Sequence, residues 1–108
     1  RQVRFGAQSE DTSAVTIMNG NAPTLTSGWG TGATIAGTGS VGRITIGTTP
    51  SASGVLTFLE SWSSAPHCDF NNETSGVVPT KVVPTTALVT VTATLVAADK
   101  VSYHCVGF

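Results

Sequence analysis

The strongest constraint on this chain is how often it is interrupted. Runs rich in Val, Ile, Thr and aromatic residues recur roughly every ten residues, separated by Gly, Pro, Asn or Ser. Glycine and proline break regular structure, and β-branched residues favour a pleated, half-buried backbone. No stretch pairs a 3.6-residue apolar period with helix-forming residues. The pattern therefore points to an all-β sandwich or barrel, and because each sheet must bury one face against another, to an antiparallel sandwich of about seven to eight strands.

The individual runs support this. Gly42–Thr48 alternates, with Ile44 and Ile46 on one face and Arg43 and Thr45 on the other. In Gly54–Trp62, Leu56, Phe58 and Trp62 share one face while Val55, Thr57 and Leu59 share the other, which predicts burial on both sides near the middle. Leu88–Leu95 is the cleanest strand. Val89, Val91, Ala93 and Leu95 point one way, and Leu88, Thr90, Thr92 and Thr94 the other, the threonines as a polar outer surface. Pro66–Asn72 follows a Ser-Ser-Ala-Pro turn, and Val101–Phe108 follows an Ala-Asp-Lys turn. Weaker extended pieces are expected at Gln2–Gly6, Ala14–Asn19, Thr24–Ser27 and Ala33–Ala36, with a turn at Asn19–Pro23. Because the chain opens on Arg1 rather than Met, residues 1–13 read as an extended arm continuing from a missing upstream region, and 14–108 as the sandwich domain.

Composition narrows the function classes. Only 10% of the residues are charged and the net charge is −1, so there is no basic face for nucleic acid. No 18-residue apolar run is present to form a membrane-spanning helix. At 40% hydrophobic residues the chain carries enough apolar material to fold. The aromatic core is thin, however: Phe5, Phe58, Phe70, Phe108, Trp29, Trp62 and Tyr103. A small domain of this kind gains from a disulfide or from oligomerisation.

Two dipeptides stand out, His67-Cys68 and His104-Cys105. Two His and two Cys would suit tetrahedral zinc. Neighbouring residues of a strand point to opposite faces, though, so when the two Cys meet the two His lie on the other side. A disulfide, or a buried Cys pair joining neighbouring strands, is the better reading, and no metal site is assigned. If the two strands are antiparallel with Cys68 opposite Cys105, then Asp69 stands opposite His104 and His67 opposite Val106. The Asp69–His104 pair reads as a surface ion pair. No Gly-x-Ser-x-Gly elbow accompanies it, and the six acids offer no convincing glycosidase pair, so no catalytic residue and no cofactor are assigned.

The remaining candidates concern sugars. Asp69, Asn71, Asn72 and Glu73 form a polar run at a strand end that would serve a glycan. Without an Asp-x-Asp-x-Asp pattern the run does not read as a calcium loop. Asn72-Glu73-Thr74 is also a glycosylation sequon. Trp29 and Trp62 are candidate stacking platforms for sugar rings, against the competing reading that each plugs one end of a small sandwich.

Several segments resemble a known family. Pro23-Thr-Leu-Thr-Ser-Gly-Trp-Gly-Thr-Gly, Ile35-Ala-Gly-Thr-Gly-Ser-Val-Gly-Arg-Ile-Thr-Ile-Gly-Thr48, Gly54-Val-Leu-Thr-Phe, Trp62-Ser-Ser-Ala-Pro-His-Cys68 and Val101-Ser-Tyr-His-Cys-Val-Gly107 are similar to a recurrent C-terminal β-domain of phage tail fibres, tailspikes and related virion proteins. The resemblance covers residues 14–108. It departs at Val55, where such sequences often carry Cys. It implies a jelly-roll-like sandwich, assembled as a homotrimer, that attaches the virion tail outside the cell to a host-surface glycan. A fibre or β-helix domain would stand upstream, and any tailspike catalysis would belong to that domain. Two alternatives remain: a capsid decoration or head-fibre protein, and a carbohydrate-binding module of a secreted bacterial enzyme.

Overall fold

The computed structural model describes residues 22–107. The expectations for the arm 1–13, for Gln2–Gly6 and Ala14–Asn19, for most of the Asn19–Pro23 turn, and for Phe5 and Phe108 lie outside the described residues. Within them the chain forms eight strands: β1 (Thr24–Ser27), β2 (Thr34–Gly37), β3 (Val41–Thr45), β4 (Ser53–Thr57), β5 (His67–Asn72), β6 (Lys81–Pro84), β7 (Leu88–Thr92) and β8 (Lys100–Val106). They make two four-stranded antiparallel sheets, ordered β1-β4-β7-β6 and β2-β3-β8-β5. The connections β2–β3 and β6–β7 are hairpins within a sheet, and the others cross from one sheet to the other. No helix occurs among the described residues.

Alternation decides which side of each sheet is buried. Along β8, Val101, Tyr103 and Cys105 are buried while Lys100 and His104 are exposed; along β5, Cys68, Phe70 and Asn72 are buried between exposed His67, Asp69 and Asn71. One sheet supplies Leu56, Val89 and Val91 to the core, and the other supplies Ile44, Cys68, Phe70, Val101, Tyr103 and Cys105. Trp29, Ile46, Phe58 and Trp62, just beyond strand ends, fill the remaining space. Burying one such aliphatic or aromatic side chain is worth about 1.5–3 kcal/mol, so this shared layer is what holds the sheets together.

Both tryptophans belong to that layer, and their neighbours explain why. The indole of Trp29 lies over Gly54 so closely that a Cβ there would sit 2.6–2.9 Å from its ring atoms. Its Nε1 donates to the Val55 carbonyl at 2.8 Å. Tyr103 covers Gly42 in the same way, at 2.6 and 2.8 Å from the position of a Cβ. The missing side chains at Gly42 and Gly54 thus make room for two rings that the core needs. Trp62 packs edge-on against Phe58, with centroids 5.8 Å apart. Its backbone N donates to the Thr86 carbonyl, which pins the chain as it leaves β4.

Three expectations change. The Gly54–Trp62 run is not buried on both sides: β4 ends at Thr57, Val55 and Thr57 are half-buried, and Leu59 is 58% exposed. Beyond the strand the chain turns, and only Phe58 and Trp62 return to the core. β6 emerges where only a Pro-punctuated segment was visible. It is an edge strand of four residues ending at Pro84, the kind of place where a residue without an amide is tolerated. Thr90 and Thr92 are half-buried rather than part of a fully open polar surface, while Thr94, beyond the strand, is exposed. β7 lies between β4 and β6, whose side chains flank Thr90 and Thr92.

Candidate functional site

The most chemically diverse surface is the outer face of the β2-β3-β8-β5 sheet, and the β5–β8 pair sets its geometry. Cys68 is paired with Cys105, Asp69 with His104, His67 with Val106 and Asn71 with Ser102. Cys68 and Cys105 form a disulfide across the pair, with Cα atoms 4.1 Å apart. That short spacing belongs to a non-hydrogen-bonded pair, where facing side chains come closest. The amide of Cys105 accordingly points the other way, donating to the Ser40 carbonyl. The bond is buried, and it fixes the register of the residues on either side of it.

Alternation then turns both histidines outward. His67 Nε2 lies 3.3 Å and His104 Nε2 lies 3.5 Å from the same oxygen, Asp69 Oδ2. All three side chains are more than half exposed. The step in register that places the thiols together in the core also gathers the imidazoles around one carboxylate outside it. Among the described residues, no group of three or more His, Cys, Asp or Glu side chains is placed to hold a metal ion.

A second ion pair spans the same face. Arg43 on β3 reaches across β8 to Glu73, just past β5, with Nε–Oε1 at 2.8 Å and Nη2–Oε2 at 3.1 Å. The Arg43 guanidinium holds the Glu73 carboxyl below its ordinary range, and Glu73 in turn raises Arg43. Between the two ion pairs lies an open depression of about 520 Å³, lined by Val41, Asp69, Phe70, Asn71, Val78, Ser102, Tyr103 and His104. Its lining is chiefly apolar, with Asp69, Asn71, Ser102 and His104 supplying the polar groups. The Ser102 hydroxyl donates to the Asn71 carbonyl at 3.4 Å.

The sugar candidates divide sharply. Asp69 and Asn71 face outward into the depression. Asn72 does not: it is 4% exposed and structural. Its Nδ2 donates to Asp99 Oδ2 at 2.8 Å, and its Oδ1 accepts from the amides of Thr74 and Ser75 at 3.0 and 3.1 Å. Asp99 Oδ2 also accepts from the Val96 amide, and Thr74 Oγ1 accepts from the Lys100 amide. Asn72 therefore ties two turns together, and the sequon amide is occupied inside the fold. Glu73 is engaged by Arg43. Trp29 and Trp62, at 2% and 4% exposure, present no ring face to a sugar. They are corrected from candidate platforms to core residues.

Val41, Val78, Ser102 and Arg43 were not singled out from sequence. Ser102 and Arg43 carry a signal there, since each lies on the outward phase of an alternating strand. Val78 carries none, because a loop brings it to the depression. Comparison with known protein families, with curated proteins and with solved structures gives no match.

Proposed function

We propose that this chain is a non-enzymatic attachment domain of a virion fibre, of the tail-fibre or tailspike kind, that assembles as a homotrimer and binds a host-surface glycan. The observation that carries this reading is the depression on the outer sheet face. It combines an apolar lining for the C–H faces of a sugar with a carboxylate, an amide, a hydroxyl and an imidazole for its hydroxyl groups. The sequence segments quoted above support the placement on a virion tail. Leu59, Val77, Val83 and Val96, exposed and outside the depression's lining, supply apolar surface for contacts between copies. Both thiols are consumed in the disulfide, which leaves no cysteine nucleophile beside the Asp69–His104 pair.

The test has two arms. Light scattering of the purified chain at micromolar concentration is expected to give a trimer; a monomer overturns the assembly. A panel of bacterial surface polysaccharides, probed with the wild type and with Asn71→Ala, is expected to show a ligand whose binding falls at least about tenfold in the variant. Absence of any ligand, or binding indifferent to Asn71→Ala, overturns attachment through this face. The burial of Trp29 and Trp62 removes the two platforms on which the carbohydrate-module alternative rested. The capsid-decoration alternative is separated by locating the labelled chain on virions by electron microscopy.

A further inference from the structure

We propose that the depression on the outer sheet face takes uncharged sugars and rejects anionic ones, with Asp69 as the residue that sets this selectivity. The proposal rests on the attachment reading above and names the class of glycan which that reading leaves open. It starts from the charges around the depression. Asp69 is a carboxylate in the lining, and no lysine or arginine lines it. Two cations stand elsewhere on the same face. Arg43 directs two N–H groups at Glu73, with Nε–Oε1 at 2.8 Å and Nη2–Oε2 at 3.1 Å. An anion that drew Arg43 away would leave the Glu73 carboxylate unpaired beside it, so the exchange gains little. Lys100 shares the outward phase of β8 with Ser102 and His104, but it lies four residues from His104, about 13 Å along a strand. It belongs to the Glu73 end of the face, where its carbonyl accepts from the Glu73 amide.

Asp69 itself is arranged to meet hydroxyl groups. Both imidazole contacts, from His67 and from His104, fall on Oδ2. Oδ1 is left open to solvent, on a side chain that is more than half exposed. An ionised carboxylate only accepts hydrogen bonds, and a hydroxyl that donates to it makes a short, charge-assisted bond. Asn71 and Ser102, opposite each other across the β5–β8 pair, add an amide and a hydroxyl within the same lining. The exposed side chains of Val41 and Val78 give it apolar walls. A neutral sugar thus finds an acceptor for its hydroxyls. A sugar carboxylate or phosphate instead meets a like charge with no lysine or arginine in the lining to offset it, and such a juxtaposition lowers affinity. Because the depression is open, this penalty is sensitive to salt.

The test uses matched polymers on the full chain at pH 8, where an ordinary imidazole is uncharged. An uncharged polysaccharide bound by the wild type is compared with the same polymer after oxidation of its primary hydroxyls to carboxylates. The oxidised form is expected to bind at least about tenfold more weakly at about 0.05 M salt. The gap is expected to narrow at about 0.5 M, where screening acts within a few ångströms. Asp69→Asn keeps the size of the side chain and removes its charge. It is expected to weaken the uncharged polymer several-fold and to close the gap between the two forms, with the melting temperature of the wild type retained. Equal or tighter binding of the oxidised form by the wild type overturns the selectivity while attachment through this face stands. A gap that salt leaves unchanged is steric and overturns it as well, a measurement that needs no variant. A gap that survives Asp69→Asn removes Asp69 as its cause and overturns the proposal. If no polysaccharide binds at all, the attachment reading falls and this inference falls with it.

Discussion

The two faces of the β5–β8 pair are built from the same two strands and obey opposite rules. On the inner face every side chain is tied to a partner. Cys68 is bonded to Cys105, Phe70 stacks on Tyr103 at 5.6 Å and on Trp29 at 6.4 Å, and Asn72 is held by Asp99 and by the turn that follows it. On the outer face the contacts are charged, solvated and replaceable: His67 and His104 toward Asp69, and Arg43 toward Glu73. Inner contacts exclude water and depend on shape, so removing one leaves a void or an orphaned group. Outer contacts exchange with water at little cost, and this frees the same residues to meet a ligand.

The disulfide offers the largest test of that contrast. It closes a loop with a sequence separation of 37. The loop-entropy relation gives about 4 kcal/mol for a loop of that size. We expect the Cys68→Ala, Cys105→Ala double variant to lose about 4 kcal/mol in urea unfolding and to melt well below the wild type. A loss under about 1 kcal/mol would mean that the register is set by the aromatic stack, and that the inner face is less dependent on the bond than its position suggests.

Much of this pair was legible before any coordinates. Alternation in both strands, together with the two His-Cys dipeptides, sufficed to place Asp69 opposite His104 and to separate the thiols from the imidazoles. The reason is physical: a strand period of two leaves no freedom once a single cross-strand pair is known. The fates of Trp29 and Trp62 were not legible. For Trp29 the outcome depends on the clearance above Gly54, far along the chain, and no local pattern reports it. Asn72 misled because asparagine is mostly exposed, while here it serves as the hinge pin of two turns. β6 escaped because four residues between prolines make too short a window for alternation to register.

Tyr103 gives a test of intermediate size, in which pH probes the inner face alone. Burial pushes its phenol up from 10.0 to about 12. The hydroxyl also donates to the Thr38 carbonyl, a bond that only the neutral form can make. The folded state therefore holds this proton more tightly than the unfolded state. The resulting stability is fully present below about pH 10 and is lost as the pH rises toward about 12. The chain has a single tyrosine, so phenolate absorbance reads this group without interference. We expect a midpoint near 12 that falls back to about 10 in urea. A midpoint near 10 in the folded protein would mean that solvent reaches the ring, and the inner face would lose its distinction.

The smallest expected effect belongs to the outer face, and its smallness is the point. Arg43 and Glu73 make two contacts of good length, yet the arginine side chain is 59% exposed. A pair in such a setting loses in side-chain entropy and screening nearly what it gains in attraction. We expect Arg43→Met, which keeps much of the aliphatic stem over the sheet, to leave the urea unfolding midpoint essentially unchanged. The carboxyl of Glu73, freed of its partner, should return toward its ordinary range. That shift would be visible as a higher titration midpoint in carbonyl-carbon NMR. The sign follows from the depressed value: the pair contributes only while Glu73 is ionised, so any effect of the substitution should fade as the pH falls through that midpoint. A clear fall in the unfolding midpoint would show instead that Arg43 braces the sheet across β8, and that the outer face is bound into the fold as tightly as the inner one. A small loss leaves Arg43, Glu73, Asn71 and Ser102 available to a ligand at little cost to the fold.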